Sequence, residues 1–267
     1  MGLVPENIAA PYRKTMENFA VLVSACGTAM DEFHYHSSFY LHGIVRDMEL
    51  FKKFSNHTKR ILDVGCGSGM ISGLLREHAD ACIGIDVPRG EDIFNVFKKR
   101  RSLQSQLWKK IGNQIKVSYL YYNGTCFPFK DSSFDAVVLY AVIEHVENDC
   151  LDAFLKEIHR ILEPNGLLYI ARTPRKLALL EYFAKYLGLG AHRVLFGDRE
   201  MVCLLSRYGF KIEYQDRTDM LFSNVPYKPL QRVYNALQRA EVAADTLLSI
   251  LPTNLFSHNM RIIAKKS

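Results

Sequence analysis

The ten residues from Arg60 to Gly69, Arg-Ile-Leu-Asp-Val-Gly-Cys-Gly-Ser-Gly, constrain the fold of this chain more than any other stretch. The apolar, β-branched first half predicts a buried strand, and the alternating glycines that follow predict a tight loop. Residues Met70–His78 are typical of a helix. A strand, a glycine loop and a helix N-terminus in this order bring backbone amides and a partial positive charge to one point, which predicts a ligand there.

Strands and helices continue to alternate up to about residue 171, and this pattern predicts a parallel sheet covered by helices on both faces. The predicted strands of this part are Ile61–Val64, Cys82–Asp86, Ile115–Tyr121, Ala136–Tyr140 and Leu167–Ala171. The predicted helices that connect them are Met70–His78, Ile93–Ile111 and Cys150–Leu162. Ligands of such sheets bind at the carboxyl ends of the strands, where the glycine loop also lies.

The segments on either side of this alternation are predicted to be mainly helical. Residues 6–56 carry an apolar stripe at helical spacing. After residue 172, helices are predicted over Leu177–Leu189, Arg199–Tyr208 and 230–251, and strands over Phe210–Arg217 and Met260–Ala264. Because no internal repeat or polar linker interrupts the chain, we expect residues 1–267 to form a single α/β domain with helical additions.

Composition favours an ordered, reduced, intracellular protein. The formal net charge of +6 is modest, and its densest run, Lys98–Arg101, is typical of a solvated helix face, so no nucleic-acid partner is expected. The chain has six cysteines without a C-x-x-C pair, and no secretory leader is recognised, which favours free thiols in the cytoplasm. No uninterrupted apolar stretch reaches the length of about 18 residues that a membrane span needs.

Asp86 gives the first indication of which ligand the loop binds. It ends the second predicted strand, 21 residues after Gly65, at the spacing where a carboxylate meets a pair of ribose hydroxyls. No Lys-Ser or Lys-Thr follows the loop, which excludes a P-loop, and Met70 stands where a dinucleotide-binding loop has its last glycine. A nucleoside ligand other than a nicotinamide dinucleotide is therefore predicted.

Five motifs in order resemble those of the class I S-adenosylmethionine (SAM)-dependent methyltransferases, of the methyltransferase type 11 kind, and most of all the branch that methylates small molecules and lipid quinones. The motifs are Leu62–Gly69, Asp86, Phe127–Asp135, Ala141–Val146 and Ile161–Leu168. The resemblance implies a Rossmann-like, doubly wound, mostly parallel sheet of seven strands with an antiparallel C-terminal strand. It divides the domain into an N-terminal helical lid (1–56), a SAM-binding core (58–172) and an acceptor side (173–267).

The same resemblance implies a set of SAM-binding residues. Gly65, Cys66, Gly67 and Gly69 would let the backbone approach the methionine part, which Asp63 would orient through its ammonium group. The adenosine part would be held by Asp86 at the ribose and by Asn123 and Gly124 at the adenine, with Val87 as a further cofactor contact. Tyr140 and Ala141 would line the methyl-donor end. Asn123 departs from the family's usual acidic residue, although its amide can still pair with an adenine edge.

Catalysis of methyl transfer is mainly positioning and desolvation, so a general base is optional. The candidates for a base are Glu144, His145, His192 and His36, each with packing as the alternative role. Ala141 stands where some quinone-methylating relatives have a metal-binding glutamate, so no metal is expected. Tyr35 and Tyr40 are further candidates for positions near the reacting centre, as part of the N-terminal lid.

The sequence predicts the acceptor pocket in less detail than the cofactor site. The apolar segment 177–187 and the helix 230–251 would either wall a hydrophobic pocket, rest on a membrane surface, or pack over the edge of the sheet. Arg172, Arg175 and Lys176 would meet an anionic acceptor or be solvated. We expect an enzyme that methylates an oxygen, less readily a nitrogen or carbon, of a small or lipid-like acceptor; the alternative is a SAM-fold module that binds without catalysis.

Overall fold

A computed structural model describes residues 4–24, 38–55, 58–88, 101–178, 194–219 and 257–267, together with positions 186 and 240. Six α-helices are assigned within these ranges: α1 (Glu6–Ser24), α2 (Ser38–Phe54), α3 (Met70–Arg76), α4 (Arg101–Ile115), α5 (Asn148–Ile161) and α6 (Asp198–Arg207). The strands are β1 (Arg60–Val64), β2 (Ala81–Asp86), β3 (Val117–Tyr121), β4 (Phe134–Tyr140), β5 (Leu162–Pro174), β6 (Phe210–Thr218) and β7 (Asn259–Lys266). A short 3₁₀ helix, Ile143–His145, follows β4.

The strands form one sheet in the order β3-β2-β1-β4-β5-β7-β6. β7 runs antiparallel to both of its neighbours, and the other pairs are parallel. The predicted Rossmann-like, doubly wound sheet with an antiparallel C-terminal strand is therefore confirmed. The strand order reverses between β1 and β4, which places the glycine loop after β1 at the switch point where such sheets bind ligands.

Two apolar layers cover the two faces of the sheet. On one face α1, α2, α3 and α4 bury residues such as Met16, Ile44 and Leu74 against β1 and β5. On the other face α5 and α6 bury Phe154, Ile158 and Met201. Near-continuous apolar runs such as Ala136–Leu139, buried throughout, are what a strand covered on both faces requires. No helix in the described part of the chain is long and apolar enough to cross a membrane.

Several predicted boundaries were wrong by a few residues. α4 continues to Ile115, so β3 begins at Val117 rather than Ile115, after a turn at Lys116 with a φ of 55°. α3 ends at Arg76 rather than His78. β5 begins at Leu162, directly after α5, and the predicted turn before it lies inside the strand as an irregularity at Asn165, whose φ is 61°. The structure assigns no helix at Leu177 and Ala178, the first two residues of the predicted helix Leu177–Leu189. Apart from positions 186 and 240, the rest of that predicted helix and the predicted helix 230–251 lie outside the described residues.

Candidate cofactor and acceptor site

The glycine loop between β1 and α3 is shaped by close packing on two sides. A Cβ on Gly65 would lie 2.6 Å from a methyl group of Val142, and one on Gly69 would lie 2.5 Å from the Tyr119 hydroxyl. Gly67 differs, because a Cβ there would meet none of the described residues within 4 Å, and its φ of 56° is in the left-handed region that favours glycine. The loop is therefore anchored at both ends and open at Gly67, where a ligand has room to approach the backbone.

Asp86 closes the loop from the end of β2. One carboxylate oxygen, Oδ2, accepts the Gly67 N–H at 3.0 Å, and the other, Oδ1, accepts the Val87 N–H at 2.8 Å. The side chain is 3% exposed. The spacing of 21 residues therefore does bring this carboxylate against the glycine loop, where the resemblance placed the ribose.

Two residues of α4 complete the loop and were missed by the sequence analysis. The Gly67 carbonyl accepts a hydrogen bond from Gln104 Nε2 at 2.8 Å and another from Trp108 Nε1 at 3.0 Å. Trp108 stacks on Tyr119, with ring centroids 5.3 Å apart. The only advance signal was that Trp108 is the single tryptophan of the chain. We call Asp63, the loop 65–69, Asp86, Gln104 and Trp108 the loop site.

Asp63 is the buried acidic residue of the loop site. It is 1% exposed, and Ser72 Oγ donates to its Oδ2 at 2.6 Å. Burial raises the pKa of Asp63 to about 7, although the hydrogen bond from Ser72 acts in the opposite direction. Burial also raises the pKa of the neighbouring Cys66 thiol well above its usual value, so Cys66 contributes packing and its backbone rather than a reactive thiolate.

The predicted adenine-side residues lie on the loop after β3. Asn123 is exposed, and its Oδ1 accepts the backbone N–H groups of Thr125 at 3.1 Å and Cys126 at 2.8 Å. Because this oxygen holds a turn, only the amide nitrogen of Asn123 is available to pair with a base. Gly124 has a φ of 90°, and a Cβ there would lie 3.4 Å from Val87, so the two predicted positions do adjoin each other.

Two residues at the carboxyl end of the sheet, beyond the glycine loop, have a strained backbone conformation. Ala141 follows β4 with a φ of 55°, and Arg172, near the end of β5, has a φ of 58°. Such conformations are uncommon for residues other than glycine and persist where the surroundings enforce them. Here the Ala141 N–H donates to the Ala171 carbonyl at 2.9 Å. Ala141 is exposed at the predicted methyl-donor end.

The base candidates Glu144 and His145 lie on the 3₁₀ helix just beyond Ala141. Glu144 is 1% exposed, and its carbonyl accepts the Val194 N–H at 3.3 Å. His145 is half-buried. His192, His36 and Tyr35 lie outside the described residues, and Tyr40 is half-buried on α2. Among the described residues, no group of three or more His, Cys, Asp or Glu side chains is placed to hold a metal ion.

The Tyr140 hydroxyl is held by a buried cluster of charges. It donates to Asp47 Oδ2 at 2.8 Å, and Arg172 Nε donates to the same oxygen at 2.9 Å. Arg261 Nη1 donates to Asp47 Oδ1 at 3.1 Å. Burial raises the pKa of Tyr140 well above its usual value, so this phenol stays protonated. Asp47 thereby ties α2 to β4, β5 and β7.

A second buried carboxylate extends this cluster. Arg46 Nη2 donates to Asp219 Oδ1 at 2.8 Å, and Arg172 Nη1 lies 3.6 Å from Asp219 Oδ2. Arg261 Nε also donates to Asp216 Oδ1 at 2.9 Å. We call Arg46, Asp47, Arg172, Asp216, Asp219 and Arg261 the ion-pair network. Both roles predicted for Arg172, an anion contact and a solvated residue, were wrong, because its charge is neutralised inside the protein.

Arg175 also differs from its prediction. It is 1% exposed, donates from Nε to Asp198 Oδ1 at 2.6 Å and from Nη1 to the Ser257 carbonyl at 2.9 Å. It therefore fastens α6 and the segment before β7 to the end of β5. Lys176 is on the surface, where it pairs with Glu200 at 2.7 Å, so only this member of the predicted basic group is solvated.

Comparison with known proteins decides what kind of domain carries this site. A family profile described as a methyltransferase domain matches residues 62–170, which include most of β1, the glycine loop, Asp86, β4 and most of β5. The matched segment is similar to a methyltransferase domain. The predicted family resemblance is thereby confirmed, and SAM is the cofactor that such a domain uses.

Curated relatives share about a quarter to a third of their residues with this chain over the aligned parts. The Ubiquinone biosynthesis O-methyltransferase of Pelagibacter ubique is 27% identical over 140 residues, which cover 50% of this chain and 52% of that protein. The mitochondrial protein of that name from Rattus norvegicus is 33% identical over 135 residues, 47% of this chain and 36% of that protein. The alignments thus span about half or less of these relatives' length.

Solved structures share the fold of the methyltransferase domain. A SAM-dependent methyltransferase from Methanosarcina mazei is 21% identical, with a TM-score of 0.54 over 81% of this chain and 96% of that one. A putative methyltransferase from Haloferax volcanii, solved with the activator Trm112, is 16% identical, with a TM-score of 0.57 over 94% of this chain and 98% of that one. At these identities the likeness concerns the fold alone.

Proposed function

We propose that this protein is an enzyme that transfers the methyl group of SAM to an oxygen of a small or lipid-like acceptor. The observation that carries the proposal is the loop site. It combines an open, left-handed Gly67 with a buried carboxylate, Asp86, that is hydrogen-bonded to the same loop. These features fit a ligand with a ribose and an amino-acid part better than one with phosphates, since the loop has no lysine.

The residues at the loop fit SAM as the cofactor. Asp63, which accepts a hydrogen bond from Ser72, is the acidic group on the methionine side. Asp86, which accepts one from the Gly67 N–H, is the acidic group on the ribose side. Val87, Asn123 and Gly124 form the adenine side, and Ala141 is exposed towards the methyl-donor end. When bound, SAM supplies an electrophilic methyl group on a sulfonium, so the protein supplies position, exclusion of water and removal of a proton.

Glu144 or His145 is proposed to take that proton. Both follow the exposed Ala141 within four residues, and one is a carboxyl while the other is an imidazole. Either side chain would accept the proton that the acceptor hydroxyl loses when its oxygen is methylated. His192 remains a third candidate on sequence grounds. Tyr140 is excluded as the base because its phenol is buried, protonated and hydrogen-bonded to Asp47.

An oxygen acceptor of quinone-precursor type is the first one to test, since the curated relatives carry the name Ubiquinone biosynthesis O-methyltransferase. We propose a single domain in which residues 1–56 act as the lid, because α2 is tied to β4 and β5 beside the methyl-donor end. A cytoplasmic setting is proposed as well, supported by the free thiols of Cys66, Cys82, Cys126, Cys150 and Cys203.

Two measurements test this function. Calorimetry with S-adenosylhomocysteine should give micromolar or tighter binding, and Asp86→Asn should weaken it at least tenfold, about 1.4 kcal/mol. Turnover of methyl-labelled SAM with hydroxylated aromatic acceptors should give a labelled ether. If one of the two proposed residues is the base, His145→Ala or Glu144→Gln should lower kcat by about 10² to 10⁴ while leaving S-adenosylhomocysteine affinity unchanged.

The outcomes separate the alternatives. Binding without turnover of any acceptor would favour the non-catalytic module. Absence of S-adenosylhomocysteine binding by the wild-type protein would contradict the proposal itself.

A further inference from the structure

Gln104 of α4 touches both parts of the loop site at once. Its Nε2 donates to the Gly67 carbonyl at 2.8 Å and to Asp86 Oδ2 at 3.2 Å. The Gly67 N–H donates to that same Asp86 oxygen at 3.0 Å. One amide group therefore spans the loop and the carboxylate proposed to hold the ribose.

The orientation of this amide is fixed by its other end. The Tyr121 hydroxyl donates to Gln104 Oε1 at 3.1 Å, so the oxygen faces Tyr121 and the NH₂ group faces the loop. The reverse orientation would bring an amide oxygen against the Gly67 carbonyl and the Asp86 carboxylate, two acceptors without a donor. The Trp108 ring, 4.6 Å from that of Tyr121, packs beside this arrangement. A glutamine fits the position, and a glutamate of the same shape does not.

The position of the Asp86 carboxylate follows from these contacts. Its two oxygens are held by N–H donors from Gly67, Val87 and Gln104, of which the first two are backbone groups next to the site. Hydrogen bonds to an ionised acceptor are stronger than neutral ones and fix its direction. Gln104 is the one side-chain donor among these three, and it comes from a helix outside the glycine-loop motif.

We propose that Gln104 is a positioning residue for the ribose of the methyl donor, acting through Asp86. It sets the direction in which the carboxylate meets the two ribose hydroxyls, and it ties the ribose site to the docking of α4. This inference rests on the proposed function, since it takes Asp86 as the ribose acceptor. It adds a residue that the family motifs do not include.

The test uses two ligands, S-adenosylhomocysteine and its 2′,3′-dideoxy analogue, with binding measured by calorimetry on the full chain. Gln104→Met keeps the length of the side chain and removes its hydrogen bonds, so it should weaken S-adenosylhomocysteine about tenfold. Gln104→Glu should weaken it more at pH 8, because a second carboxylate then faces Asp86. Gln106→Ala is the matched control, since Gln106 is an exposed glutamine on the same helix, and it should change nothing.

The dideoxy analogue separates positioning from a general structural role. If Gln104 acts on the ribose hydroxyls, wild type and Gln104→Met should bind this analogue equally. An equal tenfold loss for both ligands would show that Gln104 only supports the fold, and would overturn the inference, as would unchanged affinity for S-adenosylhomocysteine. If the wild-type protein bound S-adenosylhomocysteine but Gln104→Met did so equally well, only this inference would fail. No binding by the wild type would remove the proposed function as well.

Discussion

Two buried aspartates at the carboxyl end of the sheet are held in opposite ways. Asp63, in the loop site, has a serine hydroxyl as its side-chain donor, and burial raises its pKa to about 7. Burial would also raise the pKa of Asp219, in the ion-pair network, but the guanidinium groups of Arg172 and Arg46 outweigh it and hold that pKa well below its usual range. Exposure does not explain the difference, since the two residues are 1% and 6% exposed.

The contrast extends to the two halves of the site. Apart from its two aspartates, the loop site is built from backbone amides, carbonyls and neutral side chains, which can change partners when a ligand arrives. The ion-pair network is built from charges that have left water and depend on one another. We therefore expect substitutions in the network to affect folding strongly, and substitutions in the loop site to affect mainly ligand binding and pH dependence.

Asp47→Ala should have the largest effect on stability. It removes the carboxylate that accepts hydrogen bonds from Tyr140, Arg172 and Arg261, and leaves two buried guanidinium groups short of a partner. The loss in unfolding free energy should be about 3 to 5 kcal/mol, measured by urea titration. Lys52→Ala on the same helix is the control, because Lys52 is 59% exposed in its ion pair with Glu49 and should contribute less than about 0.5 kcal/mol. Similar losses for the two variants would contradict the comparison.

Asp63→Asn and Asp219→Asn should give opposite pH profiles of stability. A carboxyl with a raised folded pKa destabilises the folded state as it ionises, so the wild type loses stability between about pH 4 and pH 7 through Asp63. Asp63→Asn should remove that loss and be more stable than wild type at pH 7.5, by up to about 4 kcal/mol.

The stability contributed by Asp219 changes with pH in the opposite direction. Its lowered pKa contributes stability above the unfolded value near 4, and this contribution fades as the pH falls below it. Asp219→Asn should therefore be destabilising at pH 7.5 and lose part of that effect at pH 3. Urea titrations of both variants at three pH values test the pair, and parallel profiles would contradict the opposite pKa directions.

The loop site was largely predictable, and the ion-pair network was not. Gly65, Gly67, Gly69 and Asp86 lie within 22 residues of one another, so local spacing determines their geometry. Asp47, in contrast, meets Tyr140, Arg172 and Arg261 across 93, 125 and 214 positions. Nothing in the local pattern of a helical aspartate shows which distant strand ends it will meet.

The arginine after the fifth predicted strand illustrates the same limit. Arg172 was expected at the active-site end, and it is there, but its charge was assigned to a substrate or to solvent. The fold instead brings α2 over it, with Gly43 leaving space for the guanidinium. Gln104 was missed for a related reason. It lies in the predicted helix Ile93–Ile111, and only the closeness of α4 to the loop gives it a role.

Gly43→Ala tests how tightly α2 fits the network. Replacing a glycine inside a helix by alanine ordinarily stabilises by up to about 1 kcal/mol. Here the added Cβ would clash with Arg172 Nη2, so the substitution should instead lower the free energy of unfolding, by about 1 to 3 kcal/mol. In an Arg172→Ala background the same change should be neutral or stabilising. If Gly43→Ala still lowers stability in the Arg172→Ala background, the steric conflict is not with Arg172.

Trp108→Phe should have the smallest effect. The phenyl ring keeps the stacking on Tyr119, and Gln104 still donates to the Gly67 carbonyl, so only one of two donors to that carbonyl is lost. We expect at most about 1 kcal/mol in unfolding free energy and a few-fold weaker binding of S-adenosylhomocysteine. Because Trp108 is the only tryptophan, its fluorescence in the wild-type protein should respond to that ligand and report on the loop directly. A loss of stability as large as that of Asp47→Ala would mean that the glycine loop depends on the Trp108 donor as strongly as α2 depends on Asp47. The contrast between the loop site and the ion-pair network would then not hold.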